Sequence, residues 1–106
     1  MHINVEITNR SAVAFVEGSI NSANAAEFGE ALAGLPGDAE SVVLDVTKLE
    51  YISSAGLRVL LSLKKRCGSK DFRIVGASSE VMDIFNMTGF SDIMDIEPAC
   101  RKISID

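Results

Sequence analysis

Ser41-Val42-Val43-Leu44-Asp45-Val46 is a nearly unbroken apolar run, rich in β-branched residues. Such side chains are stiff at χ1 and favour extended backbone. The run predicts a central strand covered on both faces. Beyond it, Ser53-Ser54-Ala55-Gly56 opens a helical pattern with Leu57, Leu60, Leu61 and Lys64 along one side. Gly68 stands where such a helix would stop. Phe72-Arg73-Ile74-Val75-Gly76 reads as the next strand. Strand, helix and strand at this length make a βαβ unit with a right-handed crossover. That unit commits the chain to the α/β class.

The flanking segments fit the same plan. Val5-Glu6-Ile7 and Ala12–Glu17 read as a hairpin around the turn residues Asn9-Arg10-Ser11. Gly18–Ser22 follows as a loop, and a helix starts near Asn21 or Ser22. Its apolar face is Ala25, Phe28, Leu32 and Leu35, and Pro36-Gly37 ends it. Thr47–Ile52 is a connection with some strand character. Ser78 or Ser79 caps a third helix that turns Val81, Met82 and Phe85 inward. Gly89 followed by Phe90 suits a Schellman ending. Ile93–Ile96 is a short strand, and Pro98 can begin a last short helix. Met82, Met87 and Met94 read as core filler.

Composition excludes several classes of function. With 106 residues, the chain has one domain's worth of sequence. No apolar stretch approaches the ~20 residues of a membrane-spanning helix. No basic region followed by an apolar stretch marks the N-terminus, so a cytoplasmic location is expected. Fifteen acidic against ten basic residues give a net charge of −5, a poor match for nucleic acid. The basic cluster Lys64-Lys65-Arg66, with Lys70 behind it, reads as a solvated helix end. Cys67 and Cys100 lack metal or disulfide spacing and are expected as thiols. The one histidine, His2, leaves no imidazole for a Ser-His-Asp triad or a His-based metal site. No catalytic residue, metal or cofactor is expected.

Ile52-Ser53-Ser54-Ala55-Gly56-Leu57 is the most unusual segment. It places two hydroxyls between a strand-like segment and a helix. Ligand sites in open α/β sheets lie beyond the carboxyl ends of strands. Ser54 would stand at a helix N-terminus, where the dipole tolerates an anion. A phosphate there would add about −1.5 to −2 charges and repel a closely fitted partner. The same pair also reads as a simple helix cap. Asp45 can orient the serine loop through backbone N–H groups. Gly56 reads either as close backbone approach by a partner or as packing. Arg58 reads either as a solvated side chain or as a partner for an acidic surface or a phosphate.

The segment Leu44–Leu61 resembles the signature of STAS domains, above all the bacterial anti-sigma factor antagonists. An apolar strand ending in Asp is followed by a short connection and a D/S-S-x-G-L stretch, here Ser53-Ser54-Ala55-Gly56-Leu57. Ser78–Phe90 is similar to the family's helix ending in T/S-G-hydrophobic. Val16-Glu17-Gly18-Ser19-Ile20-Asn21 is similar to its G-x-L/I-D/N segment. Together they cover nearly the whole chain in order.

The resemblance implies a single STAS domain over residues 1–106. Its fold would be a mixed sheet of roughly four to five strands with about four helices. It implies an anti-sigma factor antagonist that binds an anti-sigma factor doubling as a GHKL-type serine kinase. The kinase phosphorylates a serine that maps onto Ser54, with Ser53 as the fallback, and a PP2C-type phosphatase reverses the step. Many members carry Asp where Ser53 stands, and often Asp where Asn21 stands. Asn21, Ser53, Ser54, Ala55, Gly56 and Arg58 are the expected partner-binding residues. No enzyme activity, nucleic acid or membrane insertion is expected, and a monomer is favoured. The main alternative is a STAS module that is never phosphorylated and serves a transport or signalling complex.

Overall fold

A hairpin opens the chain. Strands β1 (His2–Thr8) and β2 (Ser11–Ile20) pair antiparallel, and Asn9 at their turn takes a left-handed φ of 53°. Asparagine tolerates that region better than most residues. Helix α1 (Ala25–Ala33), strand β3 (Ser41–Ile52), helix α2 (Ser54–Cys67) and strand β4 (Asp71–Ala77) follow. Helices α3 (Ser79–Thr88) and α4 (Phe90–Ile93) then lead to strand β5 (Asp95–Pro98). This computed structural model describes residues 1–35, 39–68 and 70–99. The five-stranded sheet runs in the order β1-β2-β3-β4-β5, and every neighbouring pair after the first is parallel.

Parallel strands joined in sequence order, each through a right-handed crossover, send their helices to one face. Burial follows that rule. Ala12, Ala14, Val16, Val42, Leu44, Val46, Phe72 and Ile74 are buried, while Val13, Phe15, Val43, Asp45, Arg73 and Val75 between them stay half-exposed. The expected two-sided cover of β3 is therefore corrected: one face is packed, and the other is open. A shallow groove on the open face is lined by His2, Asn4, Glu6, Phe15, Glu17 and Asp45. Among the described residues no helix is long and apolar enough to cross a membrane.

Strand reaches further than expected, into part of the Gly18–Ser22 loop and through the whole Thr47–Ile52 connection. β2 extends through Ile20, and β3 runs unbroken to Ile52. The reason lies in the pairing of β2 with β3. Its register shifts between Phe15 and Glu17, and again between Gly18 and Ser19. Each shift gives β3 one more residue than β2, the signature of a bulge. The buried positions of β3 accordingly step from Val46 to Leu49 to Ile52, which breaks strict alternation without ending the strand. Gly18 takes a φ of 89° at this irregular stretch.

The helices follow the expected plan with local corrections. α1 starts at Ala25 with Asn24 as its N-cap, three to four residues later than expected. Gly56, Leu57, Leu60, Leu63 and Cys67 form the buried stripe of α2, so Leu63 and Cys67 take the places expected for Leu61 and Lys64. Ser78 caps α3, its hydroxyl accepting from Val81 N, and Gly89 closes it at a φ of 81°. Phe90 stacks on Phe85 with ring centres 6.4 Å apart. Met94 is buried and Met82 half-buried, but Met87 is 83% exposed and is no core residue. Ile93 ends α4 rather than opening a strand, and Pro98 ends β5 rather than opening a helix. The rest of that expected helix, Cys100 included, lies outside the described residues, as do Pro36 and Gly37.

Candidate functional site at the start of α2

β2 and β3 end side by side, with Ile20 opposite Ile52. The chain then turns directly into α2. Ser53 holds the junction through three hydrogen bonds. Its N–H donates to the Ile20 carbonyl at 2.8 Å, and its carbonyl accepts from Leu57 N at 2.9 Å. Its hydroxyl oxygen accepts from Gly56 N at 3.3 Å. This is the side-chain cap expected of a serine before a helix. Ser54 is different. It is the first helical residue, it is exposed, and its hydroxyl makes no hydrogen bond among the described residues.

Gly56 lies buried beneath this turn. A Cβ there would stand 2.7 Å from Ile52 Cγ1 and 2.8 Å from Ile20 Cγ2. The glycine lets α2 settle on the ends of both strands, so its packing role is explicit. Ala55 is half-buried, and Arg58 is exposed one turn above Ser54. Residues four apart share a helix face.

The loop before α1 stands beside this junction, because Asn21 follows Ile20 directly. Its side-chain oxygen accepts from Ala23 N at 2.9 Å and Asn24 N at 3.1 Å. In return, Asn24 Oδ1 accepts from Asn21 N at 2.9 Å, and Asn24 Nδ2 donates to the Ser19 carbonyl at 3.0 Å. The two asparagines thus fix the loop through its own backbone. Asn21 remains exposed. The structure therefore gathers Asn21, Ser53, Ser54 and Ala55 at one end of the sheet, with Gly56 below and Arg58 above.

Asp45 is not part of this group. It does not end its strand, and its Oδ1 accepts from Thr47 N at 2.9 Å, at the first bulge of β3. It orients the bulge rather than the serine loop. Gly76 supports the same place from β4, where any Cβ would run into the Thr47 side chain.

Sequence reasoning missed Tyr51 near the site and Arg66 at the far end of α2. Tyr51, 49% exposed, stands opposite Ser19 just before the serine turn. The broken alternation of β3 hid its position. Arg66 reaches from α2 to the end of α1, donating to the carbonyls of Leu32 at 3.4 Å and Leu35 at 3.3 Å. The carbonyl end of a helix favours a cation through its dipole. α1 has no basic residue in its own last turn, and Arg66 supplies one from its neighbour. Cys67 beside it is a buried free thiol. Burial pushes its pKa up, against the smaller opposing pull of Arg66, Lys70 and Lys64.

The chain is thus a small one-sided α/β domain with an exposed serine where a strand turns into a helix. The chain belongs to the STAS domain family, whose model matches residues 2–103. It is 33% identical over 104 residues to the anti-sigma-B factor antagonist of Listeria monocytogenes, covering 92% of this chain and 90% of that one. Its fold also matches the crystal structure of an anti-sigma factor antagonist from Mycobacterium paratuberculosis. The TM-score is 0.84 at 22% identity, covering 92% of this chain and 86% of that one. A more distant match is the Bacillus cell fate determinant SpoIIAA in its phosphorylated form, with a TM-score of 0.68 at 13% identity over 90% of each chain.

Proposed function

We propose that this protein is an anti-sigma factor antagonist that works by partner switching. The unphosphorylated form binds an anti-sigma factor that is also a GHKL-type serine kinase, and so releases the sigma factor. Asn21, Ser53, Ser54, Ala55 and Arg58 form the contact surface, and Gly56 supports it from beneath. The kinase transfers the γ-phosphoryl group of ATP to the Ser54 oxygen. The added charge ends the binding. A PP2C-type phosphatase restores the binding form. The protein performs no catalysis of its own and acts in the cytoplasm.

The single observation that carries this reading is the contrast between the two serines. Ser53 uses its hydroxyl oxygen to accept from the Gly56 N–H, whereas the exposed Ser54 hydroxyl makes no hydrogen bond among the described residues. This contrast supports Ser54 rather than Ser53 as the acceptor. The named relatives support the role, and the phosphorylated SpoIIAA gives a precedent for modification on this fold.

The test pairs the protein with its kinase and MgATP and maps the product by mass spectrometry. Phosphate is expected on Ser54 and absent from the Ser54→Ala variant, which still binds the kinase. Ser54→Asp is expected to weaken that binding at least tenfold. Full phosphorylation of Ser54→Ala would overturn the assignment.

A further inference from the structure

Six large hydrophobic residues are well exposed among the described residues, and three of them sit together. Met1 is 41% exposed, Val5 36% and Ile7 56%. Ile3, Val5 and Ile7 lie opposite Val16, Ala14 and Ala12, so they point to the helix-covered face of the sheet. Among the described residues β1 is the end strand of that sheet, paired to β2 on one side only. Among those same residues nothing pairs with the backbone donors and acceptors on its other side. Natural edge strands are commonly blunted by lysine or proline. His2-Ile3-Asn4-Val5-Glu6-Ile7-Thr8 has neither.

The strand is also complementary to itself. Laid antiparallel against a second copy with Asn4 opposite Asn4, it pairs His2 with Glu6 and Ile3 with Val5. Each of those two pairs occurs twice by symmetry. Met1 and Ile7 then face each other at both ends. Every apolar residue meets an apolar residue on one face. On the other, the His2 imidazole meets Glu6, whose carboxylate can accept a hydrogen bond from it. Two-fold symmetry of this kind closes at two copies.

We propose that β1 is a homodimerisation edge, joining two copies into one continuous sheet through His2–Glu6 and Ile3–Val5 pairs. This revises the expectation of a monomer. The edge is distinct from the start of α2, so each dimer presents two Ser54 sites. One paired strand buries less than a standard interface. Contacts that small belong to the weak, transient class, so the dimer is expected to be reversible.

Sedimentation equilibrium of the whole protein from about 10 µM to 1 mM tests the proposal. The wild type is expected to pass from monomer to dimer. Val5→Lys, checked for folding by circular dichroism, is expected to raise the Kd at least tenfold. A cysteine at the symmetry centre reports the register. Facing residues of an antiparallel pair are about 4.5–5.5 Å apart at Cα, within disulfide range. In a Cys100→Ser background, Asn4→Cys is expected to cross-link readily and Val5→Cys poorly. A wild type that stays monomeric to 1 mM overturns the proposal and leaves the edge to a strand from another protein. A dimer indifferent to Val5→Lys overturns it too, and preferential cross-linking at position 5 overturns the register.

Discussion

Ser54 and Arg58 stand one turn apart on the same exposed side of α2, and the first turn of that helix holds no acidic residue. An anion at position 54 would meet both the helix dipole and the guanidinium. A carboxylate near a helix N-terminus contributes about 0.3–1 kcal/mol. A pair four residues apart adds roughly 0.2–0.5 kcal/mol. Ser54→Asp is therefore expected to raise the melting temperature by a few degrees, while partner binding weakens. Thermal unfolding beside a binding titration checks the opposition. The double variant Ser54→Asp/Arg58→Ala should lose the part of the gain that comes from the pair.

Alanine usually improves a helix by up to about 1 kcal/mol over glycine. At position 56 the sign should reverse. The new methyl would press on Ile20 and Ile52, and overpacking of this kind costs about 1–3 kcal/mol. Urea unfolding of Gly56→Ala is expected to show a net loss. A gain would mean that α2 can lift off the strand ends without strain.

Arg66 ties the far end of α2 to the end of α1, away from the serine turn. Arg66→Ala is expected to cost about 1 kcal/mol, because the carbonyls of Leu32 and Leu35 lose a charged donor. Arg66→Lys should recover only part, since lysine lacks the forked donor geometry. Hydrogen exchange at the end of α1 should quicken in the alanine variant and leave β4 unchanged.

Asp45→Ala removes the acceptor for Thr47 N at the first bulge of β3. The expected loss is about 0.5–1.5 kcal/mol. Asp45→Asn keeps a side-chain oxygen and should unfold close to wild type. Equilibrium denaturation of the two variants separates the hydrogen bond from the charge.

Cys67 sets a pH dependence at the alkaline end. Its thiol pKa is raised in the folded state, chiefly by burial. Above the unfolded cysteine value of about 8.5, the unfolded chain loses this proton first. The folded chain then holds more protons, and stability falls as pH rises. Below that range the thiol is protonated in both states and contributes no slope. Denaturation between pH 7 and 10 should show a steeper alkaline decline for wild type than for Cys67→Ala.

The βαβ unit, the capping serines and the left-handed glycine after α3 were legible because each rests on chemistry between near neighbours in the chain. Ser53, three residues from its partner Gly56, is a case in point. The misread stretches depend on distant partners. Thr47–Ile52 looked irregular because the bulges that preserve its inward face exist only against β2. Arg66 looked solvated because its acceptors lie more than thirty residues away in the chain. β3 looked doubly covered because β-branched residues suit an open sheet face as well as a packed one. Met87 carries the apolar composition of a core residue, yet its place on α3 faces solvent. In the candidate site, the unequal roles of Ser53 and Ser54 became visible only with the hydrogen bonds.

The one-sided stacking of helices also divides the labour of the sheet. Residues such as Phe15, Asp45 and Arg73 look away from the helices and bear little of the interior packing. Changes on that side leave the packing that holds the architecture untouched. A domain organised in this way can acquire a second binding specificity on its bare surface without disturbing the serine at the start of α2.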